Sequence, residues 1–134
     1  MEERIEYGGK LLAMIIRRES EFEEGSNFLT GPENPLQLGV LKHVAGYTIE
    51  PHVHRPVQRT ITGTQEFLYV SKGRVLVDIY NRDGDKVKES ELGTGDAVLL
   101  VSGGHSFRLL EDSQLIELKQ GPYISKDVDK EIIE

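Results

Sequence analysis

Short apolar runs separated by glycine are the feature that most constrains the fold of this chain. The runs lie between residues 11 and 119: LLAMIIR, PLQLGVLKHV, QEFLYVSK, RVLVDIY, AVLLV, SFRLL and LIELK. Each has the length and patterning typical of a β-strand, and a sustained helical period is hard to find. In NRDGDK, Asp83 and Gly84 indicate a two-residue hairpin, because glycine tolerates the positive φ of such turns. The pattern predicts an all-β sandwich or barrel.

The domain organisation expected for this chain is simple, because 134 residues match one domain with a single core. Residues 1–34 are predicted to form an N-terminal edge strand and an acidic loop, and residues 35–121 the barrel. Residues 122–134 are charged, and they are predicted to form a tail or a short helix.

Charge and composition exclude several classes of function. The formal net charge of -7, without a basic stripe, argues against a nucleic-acid partner. No apolar run approaches the roughly 18 residues of a membrane span, and the charged start MEERIEYGGK is unlike a signal peptide. A cytoplasmic protein without a membrane partner is therefore expected. Because cysteine is absent, any metal must be bound by His, Asp or Glu.

The stretch EPHVHRP contains two of the four histidines, His52 and His54. Side chains alternate across a strand, so these two residues are expected to share one face and to offer nitrogens to a single ion. The alternative is a pair of half-exposed polar residues at a strand end. Two further candidate ligands, Glu66 and His105, also lie where strands are predicted to begin or end.

The spacing of these residues resembles the two motifs of the cupin superfamily. Gly46, five further residues and the His-x-His pair are similar to the opening of the first motif, and Glu66, six residues and Gly73 are similar to its close. The stretch from Gly95 through AVLLV to His105 resembles the second motif. The resemblance covers residues 35 to 120, with a longer loop, RPVQRTITGTQ, ahead of Glu66 and with Val101 where the family usually has proline.

The resemblance implies a double-stranded β-helix, or jelly-roll barrel, with one divalent transition metal per chain. The ligands implied are His52, His54, Glu66 and His105, and the metal would be Fe, Mn, Ni, Cu, Co or Zn. The function implied is a small metalloenzyme, a dioxygenase or an isomerase, that acts on a polar small organic molecule. Two alternatives stay open: a non-catalytic module that binds a sugar or another small molecule, and a metal-independent sugar epimerase or isomerase that uses a histidine as general base.

The sequence supports less specific expectations for other polar and aromatic residues. Three residues of the long loop are candidates to orient a substrate: Arg55, Gln58 and Arg59. For the two arginines, the alternative is an ion pair at the surface. His43 is expected to be a satisfied polar residue on the strand LKHV. Tyr69 is expected to face away from the cavity, and Phe107 to pack in the barrel wall.

Cupins of this size commonly pair, so the resemblance also implies a homodimer. The apolar strand LLAMIIR is predicted to lie across a partner's sheet and to cover an otherwise open edge.

Overall fold

A computed structural model describes residues 1–134 and contains ten β-strands and one short helix. The elements are β1 (Glu3–Tyr7), β2 (Lys10–Ile16), β3 (Gly25–Phe28), β4 (Gly39–Lys42), β5 (Glu66–Lys72), β6 (Arg74–Tyr80), β7 (Lys86–Gly93), β8 (Ala97–Leu100), β9 (Gly104–Leu109), β10 (Gln114–Lys119) and α1 (Lys126–Asp129). Every strand pair is antiparallel. The all-β class predicted from the sequence is confirmed, and each predicted apolar run overlaps a strand.

The helix α1 begins where the sequence provides a cap. The Ser125 side chain accepts a hydrogen bond from the backbone N–H of Val128, which satisfies one of the free donors at a helix start. For residues 122–134 the sequence predicted either a tail or a short helix, and a short helix is present. No helix of the structure has the length and the apolar character needed to cross a membrane.

Two compact units make up the chain. The first unit consists of Met1–Ser20 and Thr64–Glu134, and the second unit consists of Glu21–Gly63. The first unit contains a five-stranded sheet of order β1-β2-β8-β5-β10 and a three-stranded sheet of order β7-β6-β9. The second unit contains the two-stranded sheet β3-β4.

Alternation along the strands of the first unit forms the hydrophobic core. In β5, for example, Leu68 and Val70 are buried whereas Tyr69 between them is exposed. Buried residues from both sheets belong to one cluster: Ile5, Leu12, Ala13, Ile15, Leu68, Val70, Val75, Val77, Ile79, Leu92, Val98 and Leu100. The two sheets therefore share a single core.

The position of β2 corrects one expectation. This strand, which contains most of LLAMIIR, lies inside the five-stranded sheet, with β1 on one side and β8 on the other. Its backbone groups are paired within the chain, so it does not cover the edge of a partner's sheet. Its apolar residues have a simpler reason: Ala13, Met14 and Ile15 are fully buried.

The predicted hairpin between β6 and β7 is present, but its loop has five residues instead of two. The backbone N–H of Asn81 donates to the carbonyl oxygen of Asp85 at 2.9 Å, and the Asp85 N–H donates to the Asn81 Oδ1 at 2.9 Å. These two bonds close the longer loop, and only Gly84 needs a positive φ, of 91°.

The second unit differs most from expectation. The acidic loop predicted in this region includes part of a strand, β3, which pairs with β4. No strand follows β4 until Glu66, so the expectation that His52 and His54 lie on a strand is wrong. Pro51 and Pro56 give the physical reason, because each lacks the backbone N–H that a strand ladder requires.

Candidate functional site

Glu66 and His105 form an ion pair in the first unit. Glu66 is the first residue of β5 in the five-stranded sheet, and His105 is the second residue of β9 in the three-stranded sheet. The Nε2 atom of His105 lies 3.3 Å from the Oε2 atom of Glu66. Two residues that are distant in the sequence thus meet between the two sheets, and both were candidate ligands.

A hydrogen bond and nearby positive charge favour the ionised form of Glu66, although the residue is buried. The residue is only 8% exposed, because it shares its face of β5 with the core residues Leu68 and Val70. The hydrogen bond with His105 lowers the pKa of Glu66 below its ordinary value, and nearby positive charge on Lys119 adds to this effect. Burial acts in the opposite direction, but it is outweighed. The site therefore holds a negatively charged carboxylate beside an imidazole.

Lys119 lies directly opposite Glu66 in the pairing of β10 with β5. Its Nζ atom is 3.4 Å from the Oδ2 atom of Asp129 and 3.8 Å from the Oε1 atom of Glu117. Desolvation is the largest single influence and lowers the pKa of Lys119. The hydrogen bond to Asp129 and the charges of the nearby carboxylates together outweigh it and leave the pKa raised. A permanent cation thus stands next to the pair of Glu66 and His105.

Gln120, which follows Lys119, adds an unpaired polar group. Its Oε1 atom accepts a hydrogen bond from the backbone N–H of Gln65 at 2.5 Å, whereas its buried Nε2 atom has no partner. A buried donor without a partner is uncommon in proteins. Neither Lys119 nor Gln120 was a candidate from the sequence, because only the pairing of β10 with β5 brings them next to Glu66.

His52 and His54 are together in the second unit, although not on a strand. Their rings meet edge to face, with centroids 5.3 Å apart and an interplanar angle of 71°. The Nδ1 atom of His52 lies 2.7 Å from the carbonyl oxygen of Glu50. Since a carbonyl oxygen only accepts, Nδ1 is the donor in this contact, which leaves Nε2 as the ring nitrogen that could bind a metal.

The four candidate ligands thus form two pairs, one within each unit. No group of three or more His, Cys, Asp or Glu side chains with an arrangement suited to a metal ion is assembled. The donor types nevertheless fit a transition metal, because imidazole nitrogens and an ionised carboxylate are its usual ligands when sulfur is absent.

The three substrate-orienting candidates are exposed in the second unit. These candidates are Arg55, Gln58 and Arg59, and none of them forms an ion pair or a hydrogen bond with a protein group. The surface ion pairs that were the alternative expectation for the two arginines are therefore not present. Their side chains are available to a ligand.

The remaining predictions concern His43, Tyr69 and Phe107. His43 was expected to be a satisfied polar residue on a strand, but it lies just after the end of β4 and its ring stacks on Tyr47, with ring centroids 3.9 Å apart. Tyr69 is 39% exposed, on the opposite face from Glu66. Phe107 packs against the core cluster, and its ring centroid lies 6.0 Å from that of His105.

Comparisons with models of protein families, with curated proteins and with solved structures find no match to this chain.

Proposed function

We propose that this chain is a metal-binding protein of the cupin type, and that it acts as a small metalloenzyme on a polar organic molecule. The observation that supports the proposal best is the pair formed by Glu66 and His105, since the resemblance assigns both residues to one site. A carboxylate kept ionised by its surroundings is ready to bind a cation without first losing a proton.

The strand pairing supports a jelly roll as the fold. Strand β5 pairs with β10, and the next strand, β6, pairs with β9. Strands β9 and β10 therefore pair with β6 and β5 in the reverse of the chain order. This nested order is expected when one long antiparallel ribbon is rolled into two sheets, as in a jelly roll.

The proposed ligands of one divalent transition metal are His52, His54, Glu66 and His105. His52 fits this role because its Nδ1–H is already bound to a carbonyl group, which orients the ring and leaves Nε2 for a metal. A bound metal of this kind would supply Lewis-acid or O2 chemistry to a substrate at its open positions.

The substrate of the proposed enzyme is a polar molecule with an anionic or carbonyl group. Arg55 and Arg59 would bind and orient an anionic group, and Gln58 would add an amide. The free Nε2–H of Gln120 and the cation on Lys119 would favour an oxygen-rich substrate near Glu66. Dioxygenase and isomerase reactions are both compatible with these residues.

Metal titration of single variants tests the ligand set. We expect His54→Ala and Glu66→Ala each to weaken the binding of the metal found in the native protein by at least about 10-fold. The matched control is His43→Ala, which removes a histidine that stacks on Tyr47 and is expected to leave affinity unchanged. Equal affinity in all three variants would exclude this ligand set.

A second candidate function follows from the same pair and needs no metal. A carboxylate that orients an imidazole is the arrangement of a general base, so Glu66 and His105 would abstract a proton in a sugar epimerase or isomerase. Chelator-treated protein that still exchanges a substrate proton with D2O would favour this function over the metalloenzyme. Turnover of any substrate would exclude the remaining alternative, a module that binds a small molecule without catalysis.

A further inference from the structure

The last ten residues of the chain lie on the surface of the first unit, and we call residues 125–134 the strap. The strap contains α1 and the residues that follow it. No residue of α1 is buried, and residues 130–134 are all exposed. The free energy of a local opening depends on the contacts that it breaks, so a segment that buries so little is held by the few contacts that it makes. Two contacts fix the position of the strap, one on each sheet of the first unit.

The first contact joins Asp129 of the strap to the five-stranded sheet, where β5 begins and β10 ends. The Thr64 hydroxyl donates to the Oδ1 atom of Asp129 at 3.2 Å, and the Lys119 Nζ atom donates to its Oδ2 atom at 3.4 Å. Both oxygens of the carboxylate are therefore engaged. Lys119 lies directly opposite Glu66 in the pairing of β10 with β5, so the two side chains share one face of the sheet. Asp129 is thus attached at the strand position next to Glu66.

The second contact places Ile133 on the three-stranded sheet. A Cβ atom built on Gly104 would lie 2.5 Å from the Cδ1 atom of Ile133, and one built on Gly84 would lie 3.2 Å from its Cγ2 atom. Gly104, the first residue of β9, thus leaves the space into which Ile133 packs. Side chains alternate along β9, so this space is on the opposite face from His105. Ile133 therefore packs on the far side of the strand that carries His105.

Between these two contacts, the strap passes from one sheet to the other beside Glu66 and His105. Its first contact is two residues before Glu66 in the chain, at Thr64, and its second is directly before His105, at Gly104. Only three residues of the strap lie between the two contacts. Lys130 is one of them, and its positive charge lowers the pKa of Glu66, an influence that weakens with distance. The strap therefore passes close to this carboxylate, which is only 8% exposed.

We propose that the strap is a gate for the site of Glu66 and His105. In the closed state it bridges the two sheets beside this site. Release of Asp129 and Ile133 opens the gate and admits an ion or a polar substrate. Opening also frees the ammonium group of Lys119 from Asp129, so that it can bind an anionic group of the substrate. The inference rests on the proposed function for the role of the site, whereas opening of the strap is measured without metal or substrate.

Removal of the Asp129 charge tests the first contact. Diethyl pyrocarbonate modifies accessible histidines, and peptide mass spectrometry, with N-acetylhistidine as the reference for reagent activity, gives the rate at His105. We expect Asp129→Asn to raise this rate by at least about 3-fold, because a neutral amide binds Lys119 more weakly and the open state becomes more populated. The matched control is Asp127→Asn, which makes the same change in the same helix at an exposed residue without a partner, and it should leave the rate unchanged.

Loss of the Ile133 side chain tests the second contact independently. We expect Ile133→Ser to raise the rate at His105 by at least about 3-fold as well, since it removes the apolar packing on Gly104. The control is Ile132→Ser, because Ile132 is the more exposed of the two neighbours, at 74% against 43%. Rates at His105 that stay at the native value in both Asp129→Asn and Ile133→Ser would overturn the gate.

A reversible cross-link tests the gate within a single protein. The chain has no cysteine and the side chains of Thr64 and Asp129 are in contact, so a Thr64→Cys, Asp129→Cys double variant has one thiol pair that can lock the strap. We expect modification of His105 to be at least about 3-fold slower in the oxidised form than in the reduced form. Equal rates in the two forms, with the disulfide verified by mass spectrometry, would overturn the gate.

Uptake of Co²⁺ by the same two forms, followed by its visible absorption, separates the gate from the proposed function. The expected result is slower uptake in the oxidised form. A protein that binds no Co²⁺ but protects His105 when oxidised would uphold the gate and reject the metal function. Co²⁺ uptake and His105 modification that are both equally fast in the two forms would uphold the metal site and overturn the gate.

Discussion

The imidazole of His105 on β9 lies 3.3 Å from the carboxylate of Glu66 on β5, and this contact joins the two sheets of the first unit. Glu66 is nearly buried and His105 is partly exposed, so the pair is open to solvent from the histidine side. The same contact contributes to stability and holds two candidate ligands in place.

The pair predicts an acid-dependent loss of stability. The pKa of Glu66 is lowered from its ordinary 4.5 in the folded protein, so its ionised form stabilises the fold above about pH 4.5. That contribution is lost as the pH falls through the lowered folded-state pKa. Urea unfolding from pH 7 to 3 should show Glu66→Gln less stable by about 1 kcal/mol at pH 6, with the difference vanishing at the acid end. A constant difference would contradict this account.

The turn that leads into β9 predicts a strong effect of one methyl group. Gly103 has a φ of 74°, and a Cβ there would meet the carbonyl oxygen of Tyr80 and, at 3.3 Å, a methyl group of Leu12. Gly9 has a similar φ of 77° but open space around it. Both alanine variants are destabilised by the positive φ, and only Gly103→Ala also has the steric clash.

We expect Gly9→Ala to lower the free energy of unfolding by about 1 kcal/mol and Gly103→Ala by about 2–4 kcal/mol. Chemical denaturation of the two variants beside the native protein measures both values. Equal losses would show that the approach of Gly103 to Tyr80 is not restrictive, and that the position of His105 does not depend on this glycine.

Much of the first unit could be predicted from the sequence. The runs that form β5, β6 and β8 have the length and apolar content expected of strands, and all three strands contribute buried residues to the core. Phe107 was expected to pack in the wall because it shares a face with His105, and it does pack there. These predictions succeeded because they depend only on local periodicity.

The features that failed depend on longer-range pairing. LLAMIIR was expected at a partner's sheet edge, but only the order of strands shows that β1 and β8 flank it. Lys119 and Gln120 reach Glu66 through the pairing of β10 with β5, which no local pattern encodes. The failure at His52 and His54 has a local cause instead: they were placed on a strand because their spacing fits one, and the flanking prolines outweighed that spacing.

The proposed metal site predicts an affinity that depends on pH. Histidine must be neutral to bind a metal, so protons compete with the metal as the pH falls through the imidazole range. We expect the apparent affinity to fall by at least about 10-fold between pH 7.5 and 5.5, measured by competition with a chelator of known pH dependence. Occupancy that is unchanged at about pH 4.5 would contradict ligation by His52, His54 and His105.

The central claim, that the two histidines and the pair of Glu66 and His105 share one metal, is tested most directly by elemental analysis. The protein would be purified without an affinity tag, beside a His52→Ala, His54→Ala double variant and the control His43→Ala. We predict about one transition metal per chain in the native protein and in the control, and almost none in the double variant. Absence of metal from the native protein, even after incubation with each candidate ion, would contradict the claim.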